Sequence, residues 1–111
     1  MEISRLDKLL EFIRNEPEDE FLKYALATEY LRLNQPDKAL LYYEDLINNH
    51  PSYVGTYYHL GKLYEALGRK QDAINIYEKG MQITKEKRDK HAFLELQAVY
   101  REAIGYDEDD Y

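Results

Sequence analysis

The chain has 111 residues, 44% of them hydrophobic and 33% charged, with no Cys, no Trp, five Gly and three Pro. That length holds one domain, and the scarcity of glycine and proline favours a strongly helical chain over a loop-rich one. The absence of cysteine excludes disulfides, thiolate metal sites and a cysteine nucleophile, and the net charge of −7 disfavours nucleic-acid binding, which needs basic surface to displace counterions.

Hydrophobic periodicity is helical almost throughout. Leu6, Leu9, Leu10 and Ile13 follow the i, i+3, i+4, i+7 pattern. Leu22, Leu26, Tyr30 and Leu33 form a similar stripe, as do Leu60, Leu63, Tyr64 and Leu67. Turn residues fall between the periodic stretches, at Asn15-Glu16-Pro17, Asn34-Gln35-Pro36, Asn49-His50-Pro51-Ser52 and Gly68. The pattern predicts six helices over about 2–15, 18–33, 36–49, 53–67, 70–87 and 89–104, with Asp89 as the last N-cap. The acids Glu18, Asp19 and Glu20 are expected in a first helical turn, where the dipole favours them. No apolar run approaches the ~18 residues of a membrane span, and Met1-Glu2-Ile3-Ser4-Arg5 has no signal-peptide character. A cytoplasmic protein without membrane association is the expectation.

Charge is unevenly placed. Lys85, Lys87, Arg88 and Lys90 form the one dense basic stretch, read as a solvated helix end. Residues 106–111 form an acidic tail with Asp107, Glu108, Asp109 and Asp110, too poor in apolar side chains to order itself.

A shift of 34 residues brings Tyr24 onto Tyr58, Leu26 onto Leu60, Tyr30 onto Tyr64 and Leu33 onto Leu67. It also brings Ala39 onto Ala73, Tyr43 onto Tyr77, Glu44 onto Glu78 and Pro17 onto Pro51. Such a period marks a repeat of paired helices. Gly61 leaves a hole on a first helix, and Ala73 with Tyr77 offers a small residue and a large ring on the second. Small positions allow close helix approach while rings fill the space beside them.

Tyr57, Leu60, Gly61, Tyr64, Ala73 and Tyr77 in one repeat, and Leu26, Ala27, Tyr30, Ala39, Tyr43 and Pro51 in the other, resemble the tetratricopeptide repeat. Lys23 replaces the first aromatic and Lys85 stands where proline is usual. The resemblance implies an all-α fold, a right-handed superhelical stack of antiparallel helix pairs. Within a single domain over 1–105, residues 1–16 would be a degenerate half-repeat, 20–53 and 54–87 full repeats and 88–105 a capping helix. Steps of 34, 36 and 37 residues each offer a different register for that last helix. A 34-residue step puts Glu95 at the small position, a 36-residue step aligns Phe93, Leu96 and Tyr100 with Tyr57, Leu60 and Tyr64 but leaves Gln97 at the small position, and a 37-residue step aligns Ala98 with Gly61 and Gly105 with Gly68. The missing proline favours one of the longer steps.

No catalytic constellation stands out. His50 lies in a turn, His59 has no acidic or histidine neighbour one helical turn away, and His91 with Glu95 gives only two potential ligands. No nucleophile elbow or phosphate-binding glycine loop occurs. The expectation is a non-enzyme with no cofactor and no metal. Tyr30, Tyr43, Tyr57, Tyr64 and Tyr77 read as core. Tyr24 and Tyr58 lie off the buried stripe, on the helix face that lines the concave groove in the resembled family. Tyr24, Thr28, Arg32, Tyr58, His59, Lys62 and Glu65 are therefore the candidate residues for binding a protein or peptide partner, with the tyrosines as anchors. Some tetratricopeptide domains clamp a chaperone's C-terminal carboxylate with lysine, asparagine and arginine side chains; Tyr24, Thr28 and His59 occupy the matching places here, so no clamp is expected. The alternative role is self-assembly, a homodimer formed through exposed end helices.

Overall fold

The computed structural model describes residues 3–105. Among the described residues there are six α-helices and no strand: α1 (Arg5–Asn15), α2 (Glu20–Arg32), α3 (Pro36–Asn49), α4 (Gly55–Ala66), α5 (Lys70–Glu86) and α6 (Lys90–Ala103). The expected acidic tail lies outside the described residues. Two compact units divide between Tyr53 and Val54, where the first expected 34-residue repeat ends.

Capping chemistry sets the boundaries. The Ser4 hydroxyl accepts the Asp7 N–H at 3.1 Å, so α1 begins later than periodicity alone suggests. Asp19 accepts the Leu22 N–H at 2.9 Å and starts α2 at Glu20. Glu18 and Asp19 thus precede the helix, and Glu20 is the acid of the first turn. Pro36 opens α3, where its missing N–H costs nothing. Asp89 caps α6 as expected, accepting the Ala92 N–H at 3.1 Å. The chain leaves α2 and α4 through left-handed residues, Asn34 at φ 59° and Gly68 at φ 76°.

In the first unit, α2 packs against both α1 and α3. Leu26, Ala27, Ala39, Tyr43 and Leu46 are fully buried there. Removing a leucine of this kind from water contributes about 2 kcal/mol. Two charges are also buried. Lys23, at the repeat position of Tyr57, is 4% exposed, and its ammonium donates to Asp45 at 2.7 Å and Glu18 at 3.0 Å. Burial alone would lower its pKa, but the bonds to Asp45 and Glu18 outweigh that and raise it. Glu29, at the repeat position of Leu63, is 3% exposed and accepts both forks of Arg32 at 2.9 and 2.5 Å. Arg5 of α1 stands 3.6 Å from the same carboxylate.

In the second unit, α5 packs against both α4 and α6. The packing runs through glycines. A Cβ on Gly80 would meet Tyr57 Cβ at 2.6 Å and Leu96 Cδ1 at 2.9 Å, so the α5 backbone touches side chains from both neighbours. Leu60, Gly61, Ala73, Tyr77 and Leu96 complete this core.

The register of α6 follows from burial. Leu96, Val99 and Ala103 are buried, with Phe93, Gln97 and Tyr100 half-buried. A 36-residue step places Leu96 on Leu60 and Val99 on Leu63, both of them core residues. The 37-residue step would put exposed Ala98 at the small position, and the 34-residue step exposed Glu95. The extra length comes from α5, which continues to Glu86 in the absence of proline.

Candidate protein-interaction surfaces

In the first unit the candidate residues lie along α2. Tyr24 is half-buried, its ring edge-on to Tyr43 at 6.2 Å and to Tyr53 at 5.5 Å. Burial, then its tyrosine neighbours, push its phenol pKa up. The exposed Thr28 donates its hydroxyl to the Tyr24 carbonyl at 3.0 Å and stands 3.4 Å from the Tyr43 hydroxyl. Arg32 keeps an exposed side chain, yet its guanidinium is held bidentately by Glu29. It serves first to neutralise a buried carboxylate, which a sequence pattern of exposed residues does not reveal.

In the second unit they lie along α4. Tyr58 and His59 are half-buried, with ring centroids 5.5 Å apart and planes near perpendicular. Beside them opens a cleft of about 290 Å³, lined by Gly55, Tyr58 and His59 of α4 and by Ala92, Glu95 and Leu96 of α6. Burial lowers the His59 pKa, and the Glu95 carboxylate partly offsets this. His59 is therefore a neutral imidazole near pH 7, able to donate one hydrogen bond and accept another. Lys62 is exposed and 3.7 Å from Glu65. Glu65 also accepts the Tyr77 hydroxyl at 2.5 Å, so it braces the core ring more than it faces solvent.

The structure thus brings Tyr58 and His59 to one cleft and places Lys62 and Glu65 together one to two turns on. It adds Ala92 and Glu95, which were not among the candidate binding residues. Only the register of α6 brings Glu95 opposite His59, and three registers were open from sequence.

The tetratricopeptide repeat family model matches residues 24–86. A crystal structure of a tetratricopeptide repeat domain protein from Salinibacter ruber is 44% identical, covering 81% of this chain and all of that one, with a TM-score of 0.76. A solution structure of a tetratricopeptide repeat domain protein from the same organism is 43% identical over 86% of this chain and 96% of that one, with a TM-score of 0.78. A Bordetella parapertussis protein is similar in fold, with a TM-score of 0.80 at 21% identity over 98% of this chain and 95% of that one. A search of curated proteins finds no match. The fold is that of an all-α helical-repeat protein. This chain belongs to the tetratricopeptide repeat family, whose fold generally mediates protein–protein interaction.

Proposed function

We propose that the chain is a non-catalytic module that binds a protein or peptide segment on the first helix of each repeat pair. Tyr24, Thr28 and Arg32 would contribute from α2, and Tyr58, His59, Lys62 and Glu65 from α4. The observation that carries this reading is the cleft beside Tyr58 and His59, where two half-buried rings and a carboxylate surround space for a side chain. Aromatic surfaces of this kind give large contact area at little entropic cost.

The reading requires no cofactor, nucleic acid or membrane and fits a cytoplasmic setting. Among the described residues no three His, Asp or Glu side chains gather to hold a metal ion, and no helix is long and apolar enough to cross a membrane.

The test is affinity capture from source-cell lysate with wild type and with Tyr58→Ala/Lys62→Glu. A partner held by wild type and lost by the folded double variant supports the reading. Identical captures would move the site elsewhere. A second reading, homodimerisation through end helices, draws on Phe12 of α1 and Leu94 of α6, which are 55% and 50% exposed. Light scattering that shows a monomer at every concentration would remove it.

A further inference from the structure

Building on the binding role proposed above, we infer that the cleft between α4 and α6 receives an arginine side chain of the partner. Its volume of about 290 Å³ lies at the floor of the ~300–1,000 Å³ range of small-molecule pockets, which suits one long side chain.

Charge selects a cation. Glu95 is the one carboxylate among the residues that line the cleft, and His59, kept neutral by burial, does not offset it. One Glu95 oxygen stands 3.0 Å from His91, but the two side chains are 55% and 89% exposed. A surface pair of that kind contributes little and is readily exchanged. The second Glu95 oxygen has no hydrogen-bond or ion-pair partner among the described residues. Lys62, further along α4, is paired with Glu65. The whole chain carries 22 acidic against 15 basic residues, which steers a cationic partner toward it. The first turns of α4 and α6 border the cleft through Gly55 and Ala92. Their partial charge is about half a unit and fades within a turn, whereas Glu95 carries a full charge.

Shape selects arginine over lysine. Val54, Ala92 and Leu96 supply an apolar wall for an aliphatic stem. Tyr58 on α4 offers a ring for a flat guanidinium, and Glu95 on α6 a carboxylate for its N–H fork. The chain makes the same arrangement internally. Arg69 lies over the Tyr64 ring, its Cζ 4.5 Å from the centroid, while its Nε donates to Asp72 at 2.7 Å. A lysine ammonium can neither lie flat on a ring nor fork onto a carboxylate.

An NMR titration of the isotope-labelled full chain with arginine capped by acetyl and methylamide groups tests this. The expected result is saturable movement of the Tyr58, His59, Ala92 and Glu95 amide signals, with a dissociation constant on the order of millimolar. Capped citrulline, which keeps the shape without the charge, and capped lysine should each bind about tenfold more weakly. Glu95→Gln should weaken arginine binding about tenfold while circular dichroism stays helical. The citrulline comparison needs no variant and so stands whatever Glu95→Gln does to folding. Arginine that moves no cleft signal would overturn the proposal, as would citrulline or lysine binding as tightly as arginine. Capped glutamate binding more tightly than arginine would also overturn it and point to the helix N-termini. Shifts spread over surface carboxylates and unaffected by Glu95→Gln would reduce the effect to nonspecific ion pairing and overturn it too. If arginine fails while lysate capture still depends on Tyr58 and Lys62, the binding role stands and only this partner chemistry falls.

Discussion

A Cβ placed on Gly61 would lie 2.0 Å from Cε1 of Tyr77, so the Tyr77 ring rests directly on the α4 backbone. The ring is fully buried and its hydroxyl is held by Glu65 at 2.5 Å, which leaves it little room to retreat.

Gly61→Ala is therefore expected to destabilise the protein although it improves helix propensity. The propensity gain is about 1 kcal/mol, and overpacking a fixed ring costs about 1–3 kcal/mol or more. A net loss of up to about 2 kcal/mol or more should lower the urea midpoint. An unchanged or raised midpoint would show that Tyr77 can move.

Tyr77→Phe removes the bond to the Glu65 carboxylate and should cost about 1–2 kcal/mol at neutral pH. Burial first, and then Glu65, push the Tyr77 phenol well above the ordinary tyrosine range. The unfolded phenol, with a pKa of about 10, ionises before the folded one. This contribution is therefore complete below about pH 10 and is lost as pH rises through the alkaline range above it. Urea midpoints taken from pH 8 to 11 should fall in wild type, and less steeply in Tyr77→Phe. Parallel curves would exclude the linkage.

His59 gives the opposite slope on the acid side. Its pKa is lowered in the folded state by burial, so the unfolded chain takes up the proton first. Its stabilising contribution is full above about pH 6.5 and is lost as pH falls through the lower folded value. An NMR titration of the imidazole should give a pKa below that of a free histidine. Glu95→Gln should lower it further, since Glu95 favours the charged form. A rise on losing Glu95 would contradict the cleft geometry.

The α6 register predicts a contrast between neighbouring leucines. Leu96 is 2% exposed and Leu94 is 50% exposed. Leu96→Ala should cost about 2–4 kcal/mol, and Leu94→Ala less than about 0.5 kcal/mol. Reversed costs in chemical denaturation would restore the 34-residue step, in which Leu94 would take the place of Leu60.

Much of this was legible in the sequence. Helical periodicity, the 34-residue repeat and the small position at Gly61 follow from residue size and spacing, and each core tyrosine named from the repeat is buried. These features are local or repeated, so the order of residues determines them. Lys23 and Glu29 could not be placed this way. Each stands where the other repeat has Tyr57 or Leu63, and each has a partner on another segment, Asp45 of α3 for Lys23 and Arg5 of α1 for Glu29, beside a nearer one in Glu18 and in Arg32 one turn along α2. His59 likewise has no acid within a helical turn, yet it senses Glu95 across α4 and α6. Periodicity records which face of a helix avoids water. A buried charge instead depends on atoms brought within a few ångströms from distant parts of the chain, and only the packing of one helix on another decides those distances.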